Sequence, residues 1–487
     1  MPALFALSTI GVFCLVGMLL RRWIPVLRNN LVPATVIAGV LGAVAMNLGL
    51  QNLVDGMDAE MFTVITTQLF TLAFISIGLA KTPKSPASAD DSDEESPTRS
   101  SGLLRGAWAM GITWTIAFTA QALVAVGTIA VAGVGTDMDP MYGLLAAFAF
   151  AQGPGQAATF GVIFEKAGWV DAVPVALAFS ASGFIAAFLV GVPLAKLGIR
   201  RGLASAAVPL SESVHHGVLP RDEQRESMGR VTTFSGSIET LAFHAALMGV
   251  AYLLAHGIAW VFALLPGFLG TTLSGLMFLN GLYGAYIVRW VLGLLKLDHL
   301  LSNELQGHIA GATSDLLVVS AFMAVQAAVV AAWIVPILGV FLAVTVLTLL
   351  ITMGIGQRYG SDHDFERAIG MYGTTMGTTP TGLALVRILD PRMRTATLPE
   401  MGLMNLPEMT YIPAMLAISA FFAGSLSGDL TLAALGGLLV GYVVLLLATR
   451  GIGRRTWSFS TRWMRKHRPS DDSSEARLAG ELNTDPV

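Results

Sequence analysis

The chain has 487 residues, of which 54% are hydrophobic and only 13% charged, with a formal net charge of −3 and a mean hydropathy of +0.67. A solvated surface carries about twice that share of charge, so a soluble enzyme, a nucleic-acid binder and a disordered scaffold are excluded as whole-chain descriptions. The single cysteine, Cys14, leaves no disulfide framework and no Cys-based metal site.

Apolar runs recur from end to end and predict an all-α polytopic membrane protein with eleven crossings. In chain order the predicted spans are 3–20, 31–50, 61–80, 106–132, 172–194, 235–265, 268–295, 309–333, 334–355, 397–423 and 430–448. Each can cross about 30 Å of hydrocarbon at about 1.5 Å per residue. No Lys or Arg precedes the first run, and Arg21-Arg22 follow it. That is the reverse of a signal peptide's charge order and predicts a retained helix with its N-terminus outside.

Two further segments, 142–164 and 368–389, are rich in Gly, Pro, Thr and Gln, and predict re-entrant hairpins. If each returns to the side it came from, every Lys and Arg except Lys166 falls on the inner side, the C-terminal tail included. A full crossing at either would invert all that follows and destroy the asymmetry.

Residues 82–101 carry the acidic run Asp90, Asp91, Asp93, Glu94 and Glu95 and read as a disordered cytoplasmic loop, and 470–487 as a similar tail. The charged linker 198–232 divides the chain in two. Residues 1–197 hold four spans, the hairpin 142–164 and a fifth span; residues 233–425 repeat that order around the hairpin 368–389. An odd number of crossings per half inserts the second copy upside down, the arrangement of secondary transporters with broken elements at mid-membrane. The helix 430–449 is an addition to the repeat, and 450–487 is a cytoplasmic tail.

The chemistry is expected at the hairpins. The first tip reads Gln152-Gly153-Pro154-Gly155-Gln156, with Thr159 shortly after, and the second Gly377-Thr378-Thr379-Pro380-Thr381. Glycine lets the backbone turn and approach a ligand, and proline fixes φ and removes a donor. Short helices ending there offer free N–H groups to anions and free C=O groups to cations. The competing view is that these small residues only permit close packing; their recurrence at matching positions favours a site.

Intramembrane carboxylates are few: Glu239, Asp315, Glu400 and Glu408. For Asp315 and Glu408 a role beside hairpin carbonyls in a hard-oxygen Na⁺ cage is expected, whereas Glu400 reads as a paired or snorkelling carboxylate. Glu239 and Asn280 complete the candidate cation ligands, Asn280 being equally suited to helix packing. His244 and His256 read as packing or interfacial residues. No Walker A loop, His-Glu-x-x-His or Gly-x-Ser-x-Gly elbow is present, so no enzyme and no ATP-driven pump is indicated, and no organic cofactor.

With these residues in view, the core from about residue 5 to 450 resembles the bacterial sodium/glutamate symporters. The resemblance rests on Arg21-Arg22, Val32-Pro33-Ala34, Gly39, Ile75-Ser76-Ile77-Gly78-Leu79, Gly153-Pro154-Gly155, Ile238-Glu239-Thr240, Leu279-Asn280-Gly281 and Thr379-Pro380-Thr381. It implies two inverted five-helix repeats with opposed hairpins, a homodimeric scaffold moving in an elevator-like way, and Na⁺-coupled uptake of L-glutamate across the bacterial cytoplasmic membrane. The chain departs from the family in Pro154, where His is usual, and in Asn405-Leu406-Pro407-Glu408, where the acid is displaced by about one position. Two rival functions stand beside Na⁺-coupled symport of a small carboxylate: an H⁺-coupled or passive path for another organic anion, and a membrane sensor signalling through the acidic loop or tail.

Overall fold

The computed structural model describes residues 2–80, 97–206, 217–218, 227–361, 363–391 and 394–459. The acidic run Asp90–Glu95, most of the linker and the tail 470–487 lie outside the described residues. Within them the chain is all-helical. The helices are α1 (Pro2–Trp23), α2 (Pro25–Asn29), α3 (Ala34–Asn47), α4 (Ala59–Leu79), α5 (Pro97–Ala132), α6 (Gly153–Lys166) and α7 (Ala172–Arg200). After the linker come α8 (Thr240–Ala263), α9 (Gly267–Gly275), α10 (Met277–Leu294), α11 (Asn303–Met323), α12 (Ala327–Ala332), α13 (Ile334–Gly356), α14 (Asp364–Thr375) and α15 (Thr379–Leu389). The last are α16 (Thr397–Leu403), α17 (Asn405–Glu408), α18 (Ile412–Phe422) and α19 (Gly428–Ala448). Among the described residues eight helices are long and apolar enough to cross a membrane, and the protein is an integral membrane protein.

Local sequence explains where helices begin. Asp58 accepts from Met61 N (2.9 Å) to cap α4, and Ser302 and Ser427 accept from Leu305 N (3.3 Å) and Leu430 N (3.4 Å) to cap α11 and α19. Each occupies an otherwise orphaned first-turn N–H. Four predicted spans are not the uninterrupted helices expected. The span 31–50 begins only after Pro33 and stops at Asn47; 268–295 breaks at Leu276; 309–333 ends at Met323 and restarts as α12; 397–423 is bent through α16, α17, a 3₁₀ turn at Met409–Tyr411 and α18. Proline or glycine accompanies three of these interruptions without lowering hydropathy, so an apolar average passes over them, whereas the break at Ala324–Gln326 contains neither.

The helices pack in two groups. In one, α4 lies against α11 and α10, α3 against α1 and α11, and α8 against α10. Thr66 and Ser320, hydrogen-bonded at 2.9 Å, and Ser76 with Gln306 O (2.7 Å) pin the antiparallel α4–α11 pair. His244 is buried: its Nδ1 is 2.8 Å from Thr240 O and its Nε2 accepts from Ser302 N (3.0 Å), a packing role as expected. Leu253, Trp260 and Val261 of α8, and Leu4, Val12 and Leu15 of α1, remain exposed, as a lipid-facing surface requires.

The other group carries the hairpins: α5 pairs antiparallel with α13, α6 with α7, α14 with α15, and α19 rests on α5 and α18. At one end of the second hairpin lies a buried ion network. Arg367 Nε donates to Glu400 Oε2 (2.6 Å), its Nη2 donates to Glu400 Oε1, and its Nη1 donates to Asp364 Oδ1 (2.9 Å). Glu400 is therefore paired, as its sequence context suggested. After α19 the chain folds back over this end: Thr456 Oγ1 donates to Asp364 Oδ2 (2.7 Å), Trp457 Nε1 to Gly356 O (3.3 Å), and Arg201 Nη1 to Phe459 O (2.8 Å). Trp457 and Phe459 also pack edge-on against Phe365.

Candidate functional site

The first hairpin is less regular than two matched arms. A 3₁₀ turn, Pro140–Leu144, is capped by Asp139, which accepts from Met141 N (2.8 Å), and is followed by a π-turn, Ala147–Ala151. At Gly153 the backbone takes φ +77°, which reverses the chain at almost no cost to glycine. Pro154 then starts α6 with the right φ and without an N–H. The expected tip is thus shorter than the sequence suggested. Gly155, Gln156 and Thr159 lie in the first two turns of α6, and the Thr159 hydroxyl donates to Gly155 O (2.8 Å) instead of standing free.

The second hairpin matches expectation more closely. Helix α14 ends at Thr375, Met376 and Gly377 make the turn, Thr378 is the N-cap in extended backbone, and Thr379-Pro380 open α15. The hydroxyls of Thr378 and Thr381 are 3.1 Å apart. The two arms pack directly on one another.

The two tips meet. A Cβ at Gly153 would stand 2.5 Å from Thr378 Cγ2 and 2.9 Å from Gly377 O, so only glycine fits between them. At one place, therefore, the N-terminal ends of α6 and α15 and the C-terminal end of α14 converge. The first two carry partial positive charge and unsatisfied N–H groups, and the third carries partial negative charge and free carbonyls. That combination suits a small solute bearing carboxylate together with a cation. Phe70 of α4 fills the space beside Gly155, so the first tip also abuts the other helix group.

Several side chains around the tips were not anticipated. Gln121, buried in α5, donates through Nε2 to Thr348 Oγ1 (2.9 Å) and to Thr375 O (2.8 Å). The Tyr411 hydroxyl lies against the Gln152 side-chain amide, with Glu408 in electrostatic reach. Trp114, Phe118 and Tyr411 pack as an aromatic wall with ring centroids 5.2–5.5 Å apart. The side-chain oxygens of Gln121, Gln152, Gln156 and Ser180 have no hydrogen-bond partner among the described residues, and these atoms are buried. An uncharged amide inside an apolar run barely changes hydropathy; the polar spacing Thr113, Thr115, Thr119, Gln121 was the available signal.

The candidate cation ligands separate. Glu408 is half-buried in α17, three positions before Tyr411. Glu239 is exposed at the start of α8, where Oε2 accepts from Leu241 N (2.6 Å) and Ala242 N (3.3 Å) as an N-cap. Asn280 is buried, and its Oδ1 has no hydrogen-bond partner among the described residues. Its Nδ2 donates to Leu273 O (3.1 Å) and Ser274 O (3.4 Å), bridging the α9–α10 break. Asp315 is exposed on α11 and makes no hydrogen bond to either tip among the described residues. Two cavities, of 610 and 450 Å³, lie at the α6–α9 and α5–α17 margins and do not include tip residues.

Residues 98–392, more than half of the chain, match the family model described as sodium/glutamate symporter. Over 382 residues the chain is 23% identical to the sodium/glutamate symporter of Escherichia coli (strain K12), covering 78% of this chain and 86% of that protein. The protein of the same description from Shigella flexneri matches to the same extent. No solved structure matches. The chain therefore belongs to the sodium/glutamate symporter family, and it is a transporter rather than an enzyme.

Proposed function

We propose that the protein carries L-glutamate, or a closely related small carboxylate, together with Na⁺ across the bacterial inner membrane by alternating access. The observation that carries this reading is the convergence of two helix N-termini and one helix C-terminus where the hairpins of the two chain halves touch. The substrate carboxylates are assigned to the N–H groups and hydroxyls of Gly153, Gly155, Gln156, Gly377, Thr378, Thr379 and Thr381, with Pro154 and Pro380 setting the helix starts. Na⁺ is assigned to oxygens beside them, Glu408 included. The decisive measurement is uptake of labelled glutamate into proteoliposomes. Uptake should require an inward Na⁺ gradient; uptake that ignores Na⁺, or no glutamate uptake by active protein, refutes the reading.

We also infer two inverted repeats, residues 1–197 and 233–425, with eleven crossings, re-entrant hairpins, the N-terminus outside, and a homodimer. Pairing supports this: exchanging the halves maps α4 onto α11 and α5 onto α13, the two antiparallel pairs that join them, and maps the α1–α3 contact onto α8–α10. In a Cys14→Ser background, a cysteine at Gly135 should react with an impermeant thiol reagent from outside and one at Ser211 should not. The opposite pattern would invert the orientation. Glu408→Gln keeps shape but removes charge, so it should raise the Na⁺ needed for half-maximal uptake by about tenfold. The glutamate requirement at saturating Na⁺ should change far less. An unchanged Na⁺ curve would return Glu408 to a structural role.

A further inference from the structure

We propose that Gln121 contributes its side-chain oxygen to a pocket for a hard monovalent cation behind the second tip; this rests on the Na⁺-coupled reading and names a ligand within it. Gln121 is 0% exposed. Both N–H groups of its amide are engaged, by Thr348 Oγ1 and by Thr375 O. This fixes which prong is oxygen, since a flipped amide would set Oε1 against the Thr375 carbonyl. Oε1 then has no partner among the described residues. A buried amide oxygen requires a donor or a cation.

An independent feature points to the cation. Thr375 is the last residue of α14, so the carbonyl held by Gln121 belongs to the electronegative end of a short helix. Such half-helix ends, together with amide and hydroxyl oxygens, are suitable ligands for Na⁺. Charge decides the valence. The groups that the amide touches, the Thr348 hydroxyl and the Thr375 carbonyl, are neutral. A divalent ion would remain uncompensated beside them. Complete enclosure of the amide favours a bare ion over the ammonium of the solute.

Two substitutions separate the ligand role from the tethering role. Gln121→Glu keeps an oxygen for the ion but replaces the N–H groups that hold Thr348 Oγ1 and Thr375 O, so that it meets the Thr375 carbonyl with an oxygen unless protonated; Gln121→Leu gives up the oxygen as well. With full-length purified protein, Na⁺-dependent thermal stabilisation in choline buffer and Na⁺ activation of uptake are measured together. Gln121→Leu should need about tenfold more Na⁺ in both assays, Gln121→Glu should stay within about threefold of the wild type, and the glutamate KM at saturating Na⁺ should hold within about threefold. Equal loss in both variants would assign Gln121 to holding the tip and overturn the ligand. A loss confined to glutamate affinity, absent with an amine-free dicarboxylate such as glutarate, would assign the oxygen to the ammonium and overturn the proposal. A Na⁺-driven wild type with an unshifted Gln121→Leu removes this ligand alone, whereas a wild type indifferent to Na⁺ in both assays removes the coupling reading as well.

Discussion

Gly153→Val is expected to reduce uptake below about one per cent of wild type while the protein still inserts and purifies as a single species. Two costs act together. A β-branched residue at φ +77° pays about 1–2 kcal/mol for left-handed backbone. Its Cβ would also stand 2.5 Å from Thr378 Cγ2 and 2.9 Å from Gly377 O, which forces the two tips apart. Displacing ligand groups by even about an ångström costs on the order of a hundredfold in a positioned reaction, and transport through a positioned site is expected to suffer similarly. Gly202→Val separates strain from site. Gly202 also has positive φ, +64°, but a Cβ there meets nothing within 4 Å, so uptake should stay near normal. If both variants lose transport equally, backbone strain is the cause and the tip contact is not. If Gly153→Val transports with wild-type kinetics, the meeting of the tips has no part in binding.

Glu400→Gln should be the most damaging single change to stability. Arg367 is 4% exposed and Glu400 0%, and the carboxylate takes two N–H groups of the guanidinium fork. Removing this partner leaves the buried guanidinium with Asp364 as its remaining carboxylate and with half its fork unpaired, a loss of about 3 kcal/mol. It should appear as a lowered thermal midpoint and a reduced yield of monodisperse protein. Replacing both members by apolar residues, Arg367→Met with Glu400→Leu, leaves Asp364 without its cation but still held by Gly360 N, Ser361 N and Thr456 Oγ1, and should recover part of the midpoint. A double variant as unstable as Glu400→Gln would mean that the pair contributes more than mutual neutralisation, for example through Asp364 and the Thr456 contact behind it.

The helices and the hairpins were legible because their signals are compositional. Long apolar runs leave few alternatives, and Gly153-Pro154-Gly155 and Thr378-Thr379-Pro380 fix turns by backbone chemistry that acts locally. The breaks at Leu276 and through 403–411 were not legible, since hydropathy averages over a window and a kink needs only one residue. The surroundings of two acids were not legible either: Glu239 falls at a helix start, where its carboxylate caps N–H groups, and Asp315 is exposed on α11; neither setting can be read from an unbroken apolar string. Glu408 stands three positions before Tyr411, the aromatic residue set against Gln152 of the first tip. Gln121 escaped notice because it carries no charge and its partners are 227 and 254 positions away.

The chain beyond α19 has a practical consequence. Helix α19 rests on α5 and α18, and residues 456–459 are fastened to α7, α13 and α14, all of them in the hairpin-bearing group. Whatever excursion that group makes relative to α4 and α11, residue 459 is a passenger on it. A fluorophore attached there reports the position of the hairpins without touching them, and in a two-copy assembly a pair of such probes measures the stroke as a change in energy transfer. If the proposed alternating access moves the hairpin-bearing group, a bulky fusion joined to the same point is carried with it and should slow turnover while leaving solute and ion affinities as they were.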